Sequence, residues 1–141
     1  MKSEIYRIID ANLNRSREGL RVCEDITRFA LGSKTLTEEL KSIRHSISDI
    51  AKGSTKGLRA LPAPRDSEGD VLRRSGFESE MKRRGLPDVF AANIERVKES
   101  LRVLEELFKL IDIRSSSKLC GLRFRVYAIE KKAMKRLNDA D

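Results

Sequence analysis

The chain has 141 residues, with 30 Lys and Arg against 22 Asp and Glu for a net charge of +8. That length fits one domain able to bury roughly two thirds of its unfolded surface, and no apolar run is long enough for a membrane span. With no signal-peptide start, and with Cys23 and Cys120 in helical patterns that lack metal-ligand spacing, free thiols in a reducing compartment and a cytoplasmic location are expected.

The first element is read from about Glu4 to Ala30, with apolar residues at Ile9, Leu13, Leu20 and Cys23. This is the spacing of an amphipathic helix, and "LGSKT" ends it with Gly32 and a polar turn. A second helix carries Leu36, Leu40, Ile43, Ile47 and Ile50, again in steps of four and three.

Next comes the stretch from Gly53 to Asp88, which holds all three prolines and five of the eight glycines. Connections this long are uncommon in compact domains and are often functional or disordered. A short helix is expected within it, at about Glu78 to Arg84. Two more long helices follow. One has its seam at Phe90, Ile94, Val97, Leu101, Leu104, Phe108 and Ile111; the other runs from about Ser116 through Leu119, Leu122, Val126 and Ile129.

The third helix repeats the first. "ANLNRSREGLRVCED" from Ala11 and "ANIERVKESLRVLEE" from Ala92 share eight of fifteen residues, where average usage predicts roughly one match by chance. A fainter echo joins "LKSIRHSISDI" from Leu40 to "LCGLRFRVYAI" from Leu119, setting Arg44 opposite Arg123. An internal duplication follows. The expected fold is therefore all-α, a four-helix bundle of two duplicated hairpins in a single domain spanning 1–141. Hairpin 1 covers about 4–52, a long central functional loop 53–88, and hairpin 2 about 89–138.

Projection at about 100° per residue sets several polar residues within or beside the apolar arcs: Asn12 and Arg15, their counterparts Asn93 and Arg96, and Arg44 and Arg123 on the shorter helices. Buried guanidinium groups need partners, because an isolated charge away from water is costly. One reading is internal pairing with Glu24 and Glu105, with Asn12 and Asn93 bonded across the pseudo-twofold axis. The other is a pocket for an anion, since guanidinium forks match phosphate oxygens. Four inward Arg exceed what two Glu can neutralise.

In the central loop, "APRDSEGD" places Asp66 and Asp70 around Gly69 beside Arg65. Two carboxylates there suit a magnesium ion, and a polar surface turn is the plainer alternative. His45 projects away from the apolar arc and fits a surface or groove, and Cys23 fits the core. Neither a Walker-type phosphate loop, a zinc helix nor a dinucleotide fingerprint is present. The basic residues alternate with acids along the helices, as in "REGLRVCEDITR", so nucleic acid is not the expected partner.

Taken together, "RIIDANLNRSREGLRVCEDITRFAL", "LKSIRHSI", "PRDSEGDV", "AANIERVKESLRVLEELFKL" and "LRFRVYAIEK" resemble the monofunctional hydroxymethylpyrimidine phosphate kinases of thiamine biosynthesis. That domain is also found fused ahead of thiamine phosphate synthase. The resemblance implies transfer of a phosphoryl group from ATP to 4-amino-5-hydroxymethyl-2-methylpyrimidine phosphate, with magnesium as cofactor. In that setting Arg15, Arg44, Arg96 and Arg123 would hold phosphates, and Asn12 and Asn93 would orient substrate or nucleotide. Asp66 and Asp70 would hold the metal, Arg65 would face the transferring group, and Glu24, His45 and Glu105 are secondary candidates. Leu72, followed by Arg73 and Arg74, stands where such proteins would carry a small residue. The expected partners are the phosphorylated pyrimidine and ATP; the alternative is a non-catalytic helical module that binds a phosphorylated ligand or docks to thiamine phosphate synthase, and a homodimer is the expected assembly.

Overall fold

The computed structural model describes residues 2–54 and 82–140. Helix α1 (Lys2–Asp25) runs into a π-helical turn, Ile26–Ala30, and α2 (Lys34–Ser54) returns alongside it. Helices α3 (Leu86–Phe108) and α4 (Ile113–Ala140) form the second hairpin. Among the described residues there is no strand. The packing makes a ring in which α1 lies on α2 and α3, and α4 lies on α3 and α2.

Each hairpin turn has a physical cause. In the first, the Leu31 N–H reaches back to the Ile26 carbonyl at 3.2 Å, widening the last turn. Gly32 then takes φ of 58°, a left-handed conformation that costs glycine nothing. Ser33 caps α2, its hydroxyl accepting the Leu36 N–H at 3.3 Å. In the second turn, Asp112 is the cap: its carboxylate accepts the Arg114 N–H at 3.1 Å and the Ser115 hydroxyl at 2.8 Å. The bond from Ser115 is the main reason its acidity is raised, with its pKa below the usual carboxylate value. This cap moves the start of α4 to Ile113, ahead of the expected Ser116.

The expected helix at about Glu78 to Arg84 is not helical over the part that is described, Lys82–Arg84. Two features explain this. Asp88, in the first turn of α3, accepts both the backbone N–H of Arg84 at 3.1 Å and its Nε at 3.0 Å. Pro87 stands at the first turn of α3, where its missing N–H costs nothing.

All four apolar seams converge on one core. Leu20, Leu40, Ile43, Ile47, Phe90, Ile94, Leu101, Leu104 and Val126 are fully buried, each stabilising the fold by about 1.5–3 kcal/mol. Cys23 belongs to this core. Its burial pushes the thiol pKa far above the ordinary value, which leaves it an inert packing group.

Helices α1 and α3 cross closely because small residues meet there. The Ser16 and Ser100 hydroxyls lie 2.7 Å apart. A Cβ added at Gly19 would stand 2.8 Å from Val97 Cγ2 and 2.9 Å from the Asn93 carbonyl oxygen. Gly19→Ala should therefore lower stability by about 1 kcal/mol net, since overpacking costs about 1–3 kcal/mol while helix propensity returns about 1. Urea denaturation checks this: a raised midpoint would mean that the crossing has room to spare.

Candidate functional site

The four arginines divide into two pairs with different surroundings. Arg44 on α2 donates Nε and Nη2 to the Glu24 carboxylate at 2.8 and 3.1 Å. Arg123 on α4 does the same to Glu105, Nε to Oε2 and Nη2 to Oε1. Both glutamates are buried, and such two-point pairing is the geometry a guanidinium fork favours. In each case the carboxylate's hydrogen bonds hold the arginine pKa above its ordinary value. These contacts match the internal-pairing reading for two of the four arginines.

Arg15 and Arg96 differ. Both are exposed, which corrects the expectation that they point into the bundle. The reason is the close crossing: Ser16, Gly19, Val97 and Ser100 fill the space between α1 and α3, so a long side chain at the edge of either arc is directed outward with its head in water. Neither makes an ion pair with a described residue. Arg15 has only a 3.4 Å bond to Asn12 Oδ1.

Asn12 and Asn93 are corrected as well, since they do not bond to each other across the axis. Each donates its amide to its own helix, Asn12 to the Ile8 carbonyl and Asn93 to the Val89 carbonyl, both at 2.8 Å. The hydroxyl pair of Ser16 and Ser100 makes the cross-helix contact instead. Its signal in the sequence is small residues within the apolar seams, Ser16 and Gly19 on α1 and Ser100 on α3, which let two helices approach closely.

Outward Arg15 and Arg96 line a cleft of about 580 Å³ between α1 and α3. Asn12, Ser100, Ala92 and Val103 contribute to its walls, Glu95 and Glu99 to its rim on α3, and Arg83 enters from the approach to α3. Three guanidinium groups against two carboxylates give the cleft a positive excess. Because Arg15 and Arg96 have no carboxylate partner among the described residues, an anion that meets these two guanidinium groups competes with no described ion pair of theirs. Asn93, Arg44 and Arg123 do not line it, and His45 is exposed on α2.

Arg65, Asp66 and Asp70 lie outside the described residues. Among the described residues no three His, Cys, Asp or Glu side chains are grouped to hold a metal ion, and no helix is long and apolar enough to cross a membrane.

Comparison with known proteins fits this helical unit into a wider group. Residues 7–132 match the ThiD2 family. Among curated relatives, the thiamine-phosphate synthase of Nostoc punctiforme is 40% identical over 130 residues, covering 92% of this chain and 35% of the relative. That of a Synechocystis strain is 42% identical over 126 residues, covering 89% and 35%, and that of Rhodopirellula baltica is 39% identical over 125 residues, covering 88% and 32%. The chain thus spans about a third of the length of the curated relatives it matches. No solved structure matches it. On the extent of the family match and the identity to these relatives, the chain belongs to the ThiD2 family.

Proposed function

We propose that the chain transfers the terminal phosphoryl group of ATP to 4-amino-5-hydroxymethyl-2-methylpyrimidine phosphate, giving the diphosphate used in thiamine biosynthesis. An oxygen of the acceptor's phosphate attacks the γ-phosphorus, the bond from that phosphorus to the β-γ bridging oxygen breaks, and ADP leaves. Such chemistry needs alignment and charge neutralisation more than a covalent catalyst. The observation that carries the reading is the α1/α3 cleft, where Arg15 and Arg96 stand without carboxylate partners among the described residues. Relatives named as thiamine-phosphate synthases support the metabolic setting.

In this proposal Arg15 and Arg96 grip phosphate oxygens and Asn12 stands beside them at the end of the cleft formed by α1. Arg44 and Arg123, whose forks already face Glu24 and Glu105, hold the helices rather than the ligand. Asp66 and Asp70 are the residues that would hold magnesium, which when bound neutralises phosphate charge. Arg65 would face the transferring group. Because the acceptor atom is a phosphate oxygen, already deprotonated at neutral pH, no side chain is needed as a general base.

The test is direct: purified chain with the pyrimidine monophosphate, ATP and magnesium should release ADP and form the diphosphate in equal amounts. If neither forms, the kinase reading is wrong. Asp66→Asn should raise the magnesium concentration needed for half-maximal rate by roughly tenfold, as expected for loss of a hard oxygen ligand. An unchanged magnesium titration would remove Asp66 from the site.

A second reading is a non-catalytic module that docks to thiamine phosphate synthase. It is favoured by the relatives, in which the matched region is only about a third of a protein bearing the synthase name. Binding to a separately purified synthase without any ADP release would support it.

A further inference from the structure

A second cleft, of about 390 Å³, lies between α3 and α4 and is lined by Glu95, Lys98, Glu99, Arg102, Arg123 and Tyr127. It has Glu95 and Glu99 in common with the α1/α3 cleft, so the two open on opposite sides of one ridge on α3. Their chemistry differs. Every cation in the α3/α4 cleft is already paired: Lys98 with Glu95 at 2.7 Å and Glu130 at 2.9 Å, Arg102 with Glu106 at 3.4 Å, and Arg123 with Glu105. A phosphate would have to compete with these carboxylates.

What this cleft offers instead is a positioned aromatic ring. Tyr127 keeps 43% of its surface exposed and neighbouring Phe124 keeps 61%, their ring centroids 6.5 Å apart. The clamped Lys98 ammonium lies over the Tyr127 ring, 4.8 Å from its centroid, and the Arg123 guanidinium lies 5.2 Å from the centroid of Phe124 and 6.0 Å from that of Tyr127, so a stacked base takes the part of the Tyr127 face that these cations leave exposed. The duplicated hairpin lacks this feature, because Ser48 and His45 occupy the places of Tyr127 and Phe124, and Ser48 is tied to Arg17 by a 3.3 Å bond.

We infer that the α3/α4 cleft seats the base of the nucleotide, stacked on Tyr127, while its ribose spans the α3 ridge and its phosphates reach Arg96 and Arg15 beyond it. This rests on the kinase reading and assigns the nucleotide to the second hairpin. The ridge decides between the two substrates. A pyrimidine joined to its phosphate through a single CH2–O link would place that phosphate against the ridge, where Glu99, which has no ion pair with a described residue, repels it and the Lys98 that pairs with Glu95 is already engaged. A nucleoside places its neutral ribose there, and ribose hydroxyls donate well to a carboxylate. Glu99, which has no ion pair with a described residue, is the natural acceptor. Base stacking on an aromatic ring tolerates an open cleft because it needs only the π face.

Tyr6 and Tyr127 are the chain's two tyrosines, so Tyr6→Phe protein labelled with 3-fluorotyrosine carries a single fluorine reporter, at Tyr127. At saturation, defined by calorimetry, a non-hydrolysable ATP analogue should shift that fluorine resonance, whereas tripolyphosphate and the pyrimidine monophosphate should leave it in place. Separately, Tyr127→Ser should raise KM for ATP about tenfold, the loss of one base stack, with KM for the pyrimidine unchanged, and Tyr127→Phe should restore it. An unmoved resonance with the analogue bound, an equal shift from tripolyphosphate, or a shift from the pyrimidine instead would overturn the assignment while leaving the kinase reading intact. If calorimetry shows no nucleotide binding at all, the kinase reading fails and this inference falls with it.

Discussion

Replacing Glu105 with alanine should lower the stability of the chain by about 3 kcal/mol, because it strands the Arg123 guanidinium where it has little access to water. The Glu105 side chain is 5% exposed and that of Arg123 14%, so water entering through the α3/α4 cleft replaces the missing carboxylate only in part. For a chain of this size the melting temperature should fall by roughly 10 °C. Calorimetry or thermal unfolding followed by circular dichroism checks this. Removing both charges, as Glu105→Leu with Arg123→Met, should recover much of the loss, since an apolar pair of similar volume often matches a buried ion pair. A single substitution that leaves the melting temperature unmoved would show that Arg123 reaches water without its partner. The equivalent Glu24 and Arg44 pair, with side chains 7% and 17% exposed, should behave alike.

Arg96→Ala should have the opposite profile. Arg96 is exposed and makes no ion pair with a described residue, so its removal should shift stability by less than about 0.5 kcal/mol. If it grips phosphate during transfer, kcat/KM should drop by about a hundredfold or more, close to 3 kcal/mol of transition-state stabilisation. Arg96→Lys should recover only part of this, because an ammonium cannot reproduce the two-point contact. Stopped ADP release alongside an unchanged melting curve is the expected pair of observations. Full turnover by the alanine variant would remove the α1/α3 cleft from the mechanism. The two variants thus separate the roles of two arginines: Arg123, paired with Glu105, holds the helices together, and Arg96 is the one proposed to meet ligand.

Much of the architecture was legible from spacing alone. The apolar steps of four and three identified every helix of both hairpins, and Gly32 with its polar neighbours marked the first turn, where φ of 58° is found. The second turn is harder to place from spacing, because the Asp112 side chain caps α4 and starts it at Ile113, ahead of the Ser116 that periodicity suggests. A capping carboxylate of that kind leaves no trace in hydrophobic periodicity.

The site was legible in composition but not in assignment. That two buried glutamates could not satisfy four arginines was evident from counting. Which two they satisfy follows from where α1 meets α2 and α3 meets α4, since Glu24 and Glu105 lie within reach of the forks of Arg44 and Arg123. A helical projection treats each helix as isolated and has no distance between axes in it. The hydroxyls of Ser16 and Ser100 and the missing side chain of Gly19 set that distance at the α1/α3 crossing, and this excludes Arg15 and Arg96 from the interior.

By itself, then, the sequence determined the helices, their seams and the kinds of charged group near the bundle axis, because those depend on local periodicity. Only the tertiary structure decided which arginines stay paired inside and which line a cleft. Pairing requires two atoms from separate helices within about 3 Å, and that separation is a property of helix packing rather than of any one segment.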